Sequence, residues 1–278
     1  MPATDDRISS IHQRWTLDDI PWQAIRRDKV TRQEEIFYLV STASFIEITT
    51  DLYTRNLIEY FAGDDDVTAW LERHWLHEEL QHGEALKRYV QTAWPVFDWE
   101  ATYKGYLREY AACCKLDALE PTRSMEMAAR CVVEMGTASF YTALSRLSPD
   151  PVLSVLTWHI REDEVHHYKY FYRYFRHYRE LESAGRSRTL RALWHRLRMI
   201  DGEDGLIACK HVYGALHPDT PFDMRVYRQV QKRCRRMAGR YFPHEMSVKM
   251  LLKPLDLNPR VEQVAAPILQ GLARHMVT

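Results

Sequence analysis

Glu78-Glu79-Leu80-Gln81-His82-Gly83 sits inside an amphipathic run, Asp66 to Gln91, that holds no proline and one glycine. On a helix Glu79 and His82 are three steps apart, about 60° on the wheel and one turn along the axis. They point the same way, on a face shared with Trp75, Leu76, Leu86 and Val90. A carboxylate and an imidazole directed into a core need a compensating partner, and a metal cation is one. A single pair decides nothing: with 20 Glu and 13 His in 278 residues, chance supplies about one Glu-x-x-His. The fold and the chemistry turn on whether the chain supplies the other half of a site.

It does. Asp163-Glu164-Val165-His166-His167 contains Glu164-x-x-His167, on a face with Thr157, Ile160, Tyr168, Phe171 and Tyr174. Glu134 shares a helical face with Met127, Cys131, Thr137, Ala138 and Tyr141, and Glu47 shares one with Val40, Ala43, Ser44, Thr50 and Thr54. Glu47 precedes Glu79 by 32 residues, and Glu134 precedes Glu164 by 30. Each of two helical hairpins therefore carries one Glu on its first helix and one Glu-x-x-His on its second. At the helical rise per residue, each loop lets the first Glu fold back to the height of its partner. Four Glu and two His converging from four helices is the di-iron or di-manganese carboxylate arrangement. The expected metal ligands are Glu47, Glu79, His82, Glu134, Glu164 and His167. Hard carboxylates and imidazoles suit two Fe, with Mn/Fe or Mn as alternatives, and four carboxylates balance the charge of two divalent ions. Asp163 is expected to accept the free ring N–H of a ligating histidine, or else to lie on the helix surface. Arg130 faces inward, to pair with a carboxylate or to form a rim salt bridge. Glu78 and His166 lie about 100° from the ligands, beside the site or on the surface. His74 and His77 are read as non-ligands, and Trp75, Tyr141 and Tyr168 as core.

The rest of the chain organises around these hairpins. Ten Gly, 12 Pro and scarce two-residue alternation indicate an all-α protein. Residues 1–30, with Trp15, Pro21 and Trp22 among charges, are expected to form a lead-in packed loosely on the main body. A capping box, Thr31-Arg-Gln-Glu34, opens a helix over about 31–62, and Gly63 to Asp66 turn into a second that ends near 93. A long crossover follows. Pro121 suits the first turn of a third helix, about 121–147, and Ser148-Pro149-Asp150-Pro151 separates it from a fourth, about 151–182. The expected architecture is a ferritin-like four-helix bundle over 31–183 with a long crossover and additional C-terminal helices over 184–278, near 186–200, 204–215, 222–240, 244–253 and 260–275.

Balanced charge, 38 basic against 38 acidic residues, argues against nucleic-acid binding. Five Cys without a C-x-x-C argue for a reducing compartment and against a zinc ribbon or iron–sulfur cluster. With no signal-like N-terminus and no apolar run near 18 residues, a cytoplasmic protein with no membrane partner is expected. Residues 186–240 carry 13 Lys/Arg against five Asp/Glu, either solvated helix faces or a dock for an acidic carrier protein.

The paired motifs resemble a known family. Glu78-Glu79-Leu80-Gln81-His82-Gly83 is similar to the E-E-x-R-H-G segment of soluble acyl-carrier-protein desaturases, Asp163 to His167 to their D-E-x-x-H, and Glu134-Met135-Gly136-Thr137 to their E-x-x-T. The resemblance covers about 31–182. It implies that Glu79, His82, Glu134, Glu164 and His167 are ligands and that Thr137 is the catalytic hydroxyl on the oxygen side; Glu47 is placed by topology alone. The chain is shorter than the desaturases, and its C-terminal third does not match them. The expected activity is O2-dependent di-iron oxidation of a C–H bond, by desaturation or hydroxylation, in a small organic or acyl substrate that a carrier protein could hold. No flavin, NAD or iron–sulfur motif is present, so electrons would come from an external ferredoxin-like donor. Such bundles are commonly homodimers. The alternatives are an N-oxygenase, a hydroxylase of an RNA base, ferroxidase or rubrerythrin-like iron or peroxide handling, and a metal-free structural bundle. N-oxygenases of the superfamily place a histidine one turn before the last Glu; here Ile160 holds that place and His159 is one residue off.

Overall fold

The computed structural model describes residues 14–113, 119–199 and 202–277, with side chains to residue 274. Expectations falling on residues 1–13, 114–118, 200–201 and 278, including much of the lead-in, lie outside the described residues. The elements are α1 (Arg27–Val30), α2 (Glu34–Ile48), α3 (Thr50–Tyr60), α4 (Asp65–Trp70), α5 (Leu76–Ala93), α6 (Trp99–Tyr110), α7 (Arg123–Leu147), α8 (Pro151–Leu181), α9 (Arg186–Arg198), α10 (Glu203–Leu216), α11 (Met224–Gly239), α12 (His244–Leu252) and α13 (Pro259–Val277). The protein is all-α, with no strand among the described residues.

Helix α2 packs on α5, α7 folds back along α8, and α5 also meets α8. Helices α9 and α12 lie on α7, α10 and α11 on α2, and α13 on α12 and α11. Asp150 fixes one end of this arrangement. Its carboxylate caps α8 at the Val152 and Leu153 amides, with Pro151 in the first turn, and accepts hydrogen bonds from the Tyr89 hydroxyl (2.6 Å) and the Arg26 amide (3.1 Å). One side chain thus ties the start of α8 to α5 and to the N-terminal segment.

Several local expectations give way to tertiary packing. The helix expected over 31–62 breaks at Thr49 (φ −91°, ψ 4°), whose hydroxyl donates back to the Phe45 carbonyl at 2.6 Å. That bond competes with the helical ladder and leaves Glu47 in the last turn of α2. Thr31 opens no helix: it follows the end of α1, its hydroxyl donates to the carbonyl of Arg27, the first residue of α1, and α2 starts at Glu34 without a side-chain cap. Thr122, not Pro121, opens the third long helix, accepting from the Met125 amide. The second helix is interrupted by a π turn, Leu71–Trp75, just before the Glu78–Gly83 motif; such wide turns shift side-chain register and recur at functional sites. The described part of the lead-in is not loose. Trp15, Ile20, Trp22 and Val30 are all buried in the main core, because the segment offers large apolar side chains to a groove beside α5 and α8.

The core is not one mass. One apolar cluster contains Phe45, Leu86, Tyr141, Leu156 and Ile160; a second contains Leu57, Trp75, Cys131, Met135, Tyr168 and Phe171. Helices α7 and α8, and the π turn together with α5, each cross from one cluster to the other. On each, the crossing point is where the sequence places an acid: Glu79 after Trp75, Glu134 between Cys131 and Tyr141, Glu164 between Ile160 and Tyr168. A polar layer therefore separates two apolar halves.

Candidate metal centre

All six expected ligands fall in that layer. Glu47 and Glu79 are 6 % exposed, Glu134, Glu164 and His167 1 %, and His82 not at all. Their donor atoms form two groups, Glu47–Glu79–His82–Glu164 and Glu79–Glu134–Glu164–His167, and within each group all four atoms lie inside 4.8 Å of one another. Glu79 and Glu164 belong to both. The centre is thus built as two four-donor nests sharing two carboxylates, with one Glu and one His private to each.

The two imidazoles, 5.9 Å apart by ring centre, are held in matching ways. Nδ1 of His82 faces Glu164 Oε1 at 3.4 Å and Glu47 Oε2 at 3.9 Å, while its Nε2 bonds Asp163 Oδ2 at 3.0 Å. Nδ1 of His167 faces Glu79 Oε1 at 3.1 Å, Glu134 Oε2 at 3.5 Å and Glu164 Oε2 at 3.7 Å, while its Nε2 bonds Glu78 Oε2 at 2.7 Å. The bracing crosses over. The acid before Glu164 holds His82, and the acid before Glu79 holds His167. Asp163 therefore accepts a ring N–H, the inward of its two sequence readings, and Glu78 does the same from beside the ligands. His166 is exposed, and neither His74 nor His77 joins a donor group.

Residues outside the motifs complete the frame. The Trp15 indole N–H donates to Asp163 Oδ2 at 2.7 Å, and its ring lies parallel to His82. Arg14 donates to Asp163 Oδ1 at 3.1 Å and approaches Glu78 Oε1 at 3.6 Å, touching both bracing acids. Tyr141, read as core from the sequence, is buried and also donates to Glu47 Oε1. Thr137 donates to Glu164 Oε2 at 2.8 Å, so its hydroxyl is turned to a shared carboxylate. Arg130 is buried and pairs with Glu126 at 2.9 Å rather than at the rim, its guanidinium stacked over Tyr53. Gly83, next to His82, lets the end of α2 approach: a Cβ there would meet the Ile48 amide nitrogen at 2.6 Å. No family model, no curated protein and no solved structure matches the chain. What the centre can do follows from its own chemistry.

Burial, then the charges of Glu79 and Glu164, push the Glu47 carboxyl well above the usual range. Burial and the Glu164 charge likewise raise Glu79, and Glu134 is pushed up to about 8, chiefly by burial. Burial alone would lower both imidazoles. Asp163 and Glu164 more than offset this at His82, as do Glu134, Glu164, Glu78 and Glu79 at His167, and both end well above the ordinary value. Burial also opposes ionisation of Glu164, but the two histidines overcome it and hold the carboxyl low. In the metal-free chain, protons stand where cations would.

The donor set fits a pair of divalent ions. His82 Nδ1, His167 Nδ1 and Glu164 Oε1 are buried without a hydrogen-bond partner, and all three turn into the shared space. Buried polar atoms are seldom left so. The Nε2 atoms of both rings are engaged by carboxylates, the arrangement that leaves a lone pair on Nδ1 for a metal. The set contains no thiolate: Cys131, close in sequence, belongs to neither donor group, and burial raises its pKa well above the usual thiol value.

Proposed function

We propose that α2, α5, α7 and α8 form a ferritin-like bundle around two iron ions, and that the protein is an O2-dependent di-iron oxidase or oxygenase of an organic C–H bond. The observation that carries this reading is the pair of buried four-donor nests sharing Glu79 and Glu164. Glu47 and His82 would hold one ion, Glu134 and His167 the other, and Glu79 and Glu164 both. Bound iron would supply the electron transfer to O2 that no side chain here can provide, resupplied by an external ferredoxin-like donor.

The chain's residues do the rest. Asp163 and Glu78 hold protons on the Nε2 atoms of His82 and His167, fixing ring orientation and leaving each Nδ1 free. Tyr141 holds a proton at Glu47 Oε1 and Thr137 holds one at Glu164 Oε2, so each carboxylate keeps one oxygen occupied and turns the other inward. The apolar clusters on either side keep bulk water away, which strengthens every charge interaction between them. Oxidation of an amine nitrogen is less well supported, because Ile160 is fully buried and His159 stacks on Trp15 instead of joining a nest.

The test is oxygen reactivity. Chain loaded anaerobically with ferrous iron and then mixed with O2 is expected to consume it faster than free ferrous iron, with a new near-ultraviolet absorbance. Glu134→Ala is expected to abolish both. Uptake no faster than free iron would contradict the proposal, and growth of a ferric mineral beyond two irons per chain would favour iron storage instead.

A further inference from the structure

Helix α9 reads Arg-Ser-Arg-Thr-Leu-Arg-Ala-Leu-Trp-His-Arg-Leu-Arg and contains no acid. Thr189, Ala192 and Leu193 bury its inner face against α7, and Arg196 turns in toward Glu126. At 100° per residue, Arg188, Leu190, Arg191, Trp194 and Arg198 share the outer face within roughly 160° of arc. Leu190 is 55 % exposed, Trp194 61 % and the adjoining Met199 42 %. Among the described residues, no carboxylate lies within ion-pair distance of Arg188, Arg191 or Arg198, and Trp194 makes no hydrogen bond or ring contact; Arg191 reaches only the Met125 sulfur, at 3.6 Å. Beneath this face lies a recess of about 660 Å³ lined by Met125, Arg191, Trp194, Arg198 and Met199 and also by Glu120 and His195, the Glu120 carboxylate being paired with the His195 ring at 2.6 Å rather than with an arginine.

We propose that α9 docks on the headgroup layer of an anionic lipid bilayer, with Arg188, Arg191 and Arg198 on lipid phosphates and Leu190 and Trp194 entering the interface. Two features choose this occupant. Three arginines without an internal counter-charge call for an anionic partner. The interleaved leucine, tryptophan and methionine are superfluous for a solvated charge run, and they are what an interfacial helix buries. No helix among the described residues is long and apolar enough to cross a membrane, so the contact is one of surface. The expectation of no membrane partner rested on the absence of a spanning segment and of a signal peptide, neither of which bears on surface binding. The proposal is independent of the metal centre.

Sedimentation of the full chain with vesicles tests it. Binding is expected to vesicles of three parts phosphatidylcholine to one of phosphatidylglycerol, to weaken as salt rises, and to be absent with phosphatidylcholine alone. R191E/R198E should weaken it by at least about thirtyfold, and L190S/W194S by at least about tenfold. R225E/R228E, the same charge change on α11, should leave it unchanged. Far-ultraviolet circular dichroism and thermal melting of each variant show that it is folded. Equal binding to both vesicle types, or no binding to either, overturns the proposal. So does an effect of R225E/R228E matching that of R191E/R198E. Undiminished binding by L190S/W194S also overturns it, since a face acting by charge alone would suit a soluble acidic protein instead.

Discussion

His82 and His167 each spend one ring nitrogen on an acid carried by the other motif, so neither Glu-x-x-His is complete within its own helix. Replacing Asp163 by Asn or Glu78 by Gln keeps the shape and removes the charge. Each variant is expected to lower metal affinity about 10–100-fold without changing stoichiometry at saturating metal, as measured by competition with a chromogenic chelator. The same residues give the metal-free chain a pH signature. Glu47, Glu79, Glu134, His82 and His167 all have folded-state pKa values above their unfolded ones. The folded chain therefore binds more protons than the unfolded chain and loses stability as pH rises. For Glu134 that loss runs from 4.5 to about 8. Glu164, with a depressed value, acts in the opposite sense but only below 4.5. Melting temperature of the apoprotein should fall across this window, and saturating ferrous iron under argon should flatten the slope; a slope of the same sign and size in both forms would count against metal replacing those protons. All six donors were legible in the sequence, because acid, imidazole and spacing are sequence properties. Tyr141 was visible on the Glu134 face, yet a tyrosine on an apolar stripe reads as packing until the carboxylate opposite it is known.

Helix ends and close approaches belong to the next scale. Gly83 directly follows the first Glu-x-x-His motif, but nothing in the sequence says what crosses there. In the fold the crossing element is the last turn of α2, with Ile48 backbone atoms 2.6 and 2.7 Å from where a methyl carbon on Gly83 would sit. Gly83→Ala should therefore displace Glu47 from its nest. The expected cost is about 1–3 kcal/mol in denaturant unfolding, with weaker metal binding. Gly136→Ala, with nothing within 4 Å of the added carbon, should be neutral or gain up to about 1 kcal/mol. Equal behaviour of the two variants would mean that α2 yields easily. The long helices and all five C-terminal ones sit close to their expected spans, since strong periodicity and proline or aspartate punctuation mark them. The break at Thr49 and the π turn before Leu76 carry no such signal. A threonine bonding back to a carbonyl and a widened turn both depend on what packs beside them.

At the scale of the whole molecule, two apolar halves meet across a charged layer, and the segment before α1 closes one side of it. Trp15 is 2 % exposed and joins the main core to Asp163. Trp15→Ala is expected to cost about 3–5 kcal/mol in denaturant unfolding and to weaken metal binding; a loss within experimental error would return this segment to the loose role the sequence suggested. That suggestion failed because aromatic residues scattered among charges show no period, and their groove is made by distant helices. The division of the core was equally hidden, since it emerges only when four helices are laid side by side.

The central claim is that the layer is built for two ions, and the most direct measurement is the number of ferrous ions bound per chain under anaerobic equilibrium dialysis. The wild-type chain should bind two, and Glu79→Ala/Glu164→Ala, which removes both shared carboxylates, should bind none tightly. One ion per chain, or two that survive the loss of both shared acids, would contradict it.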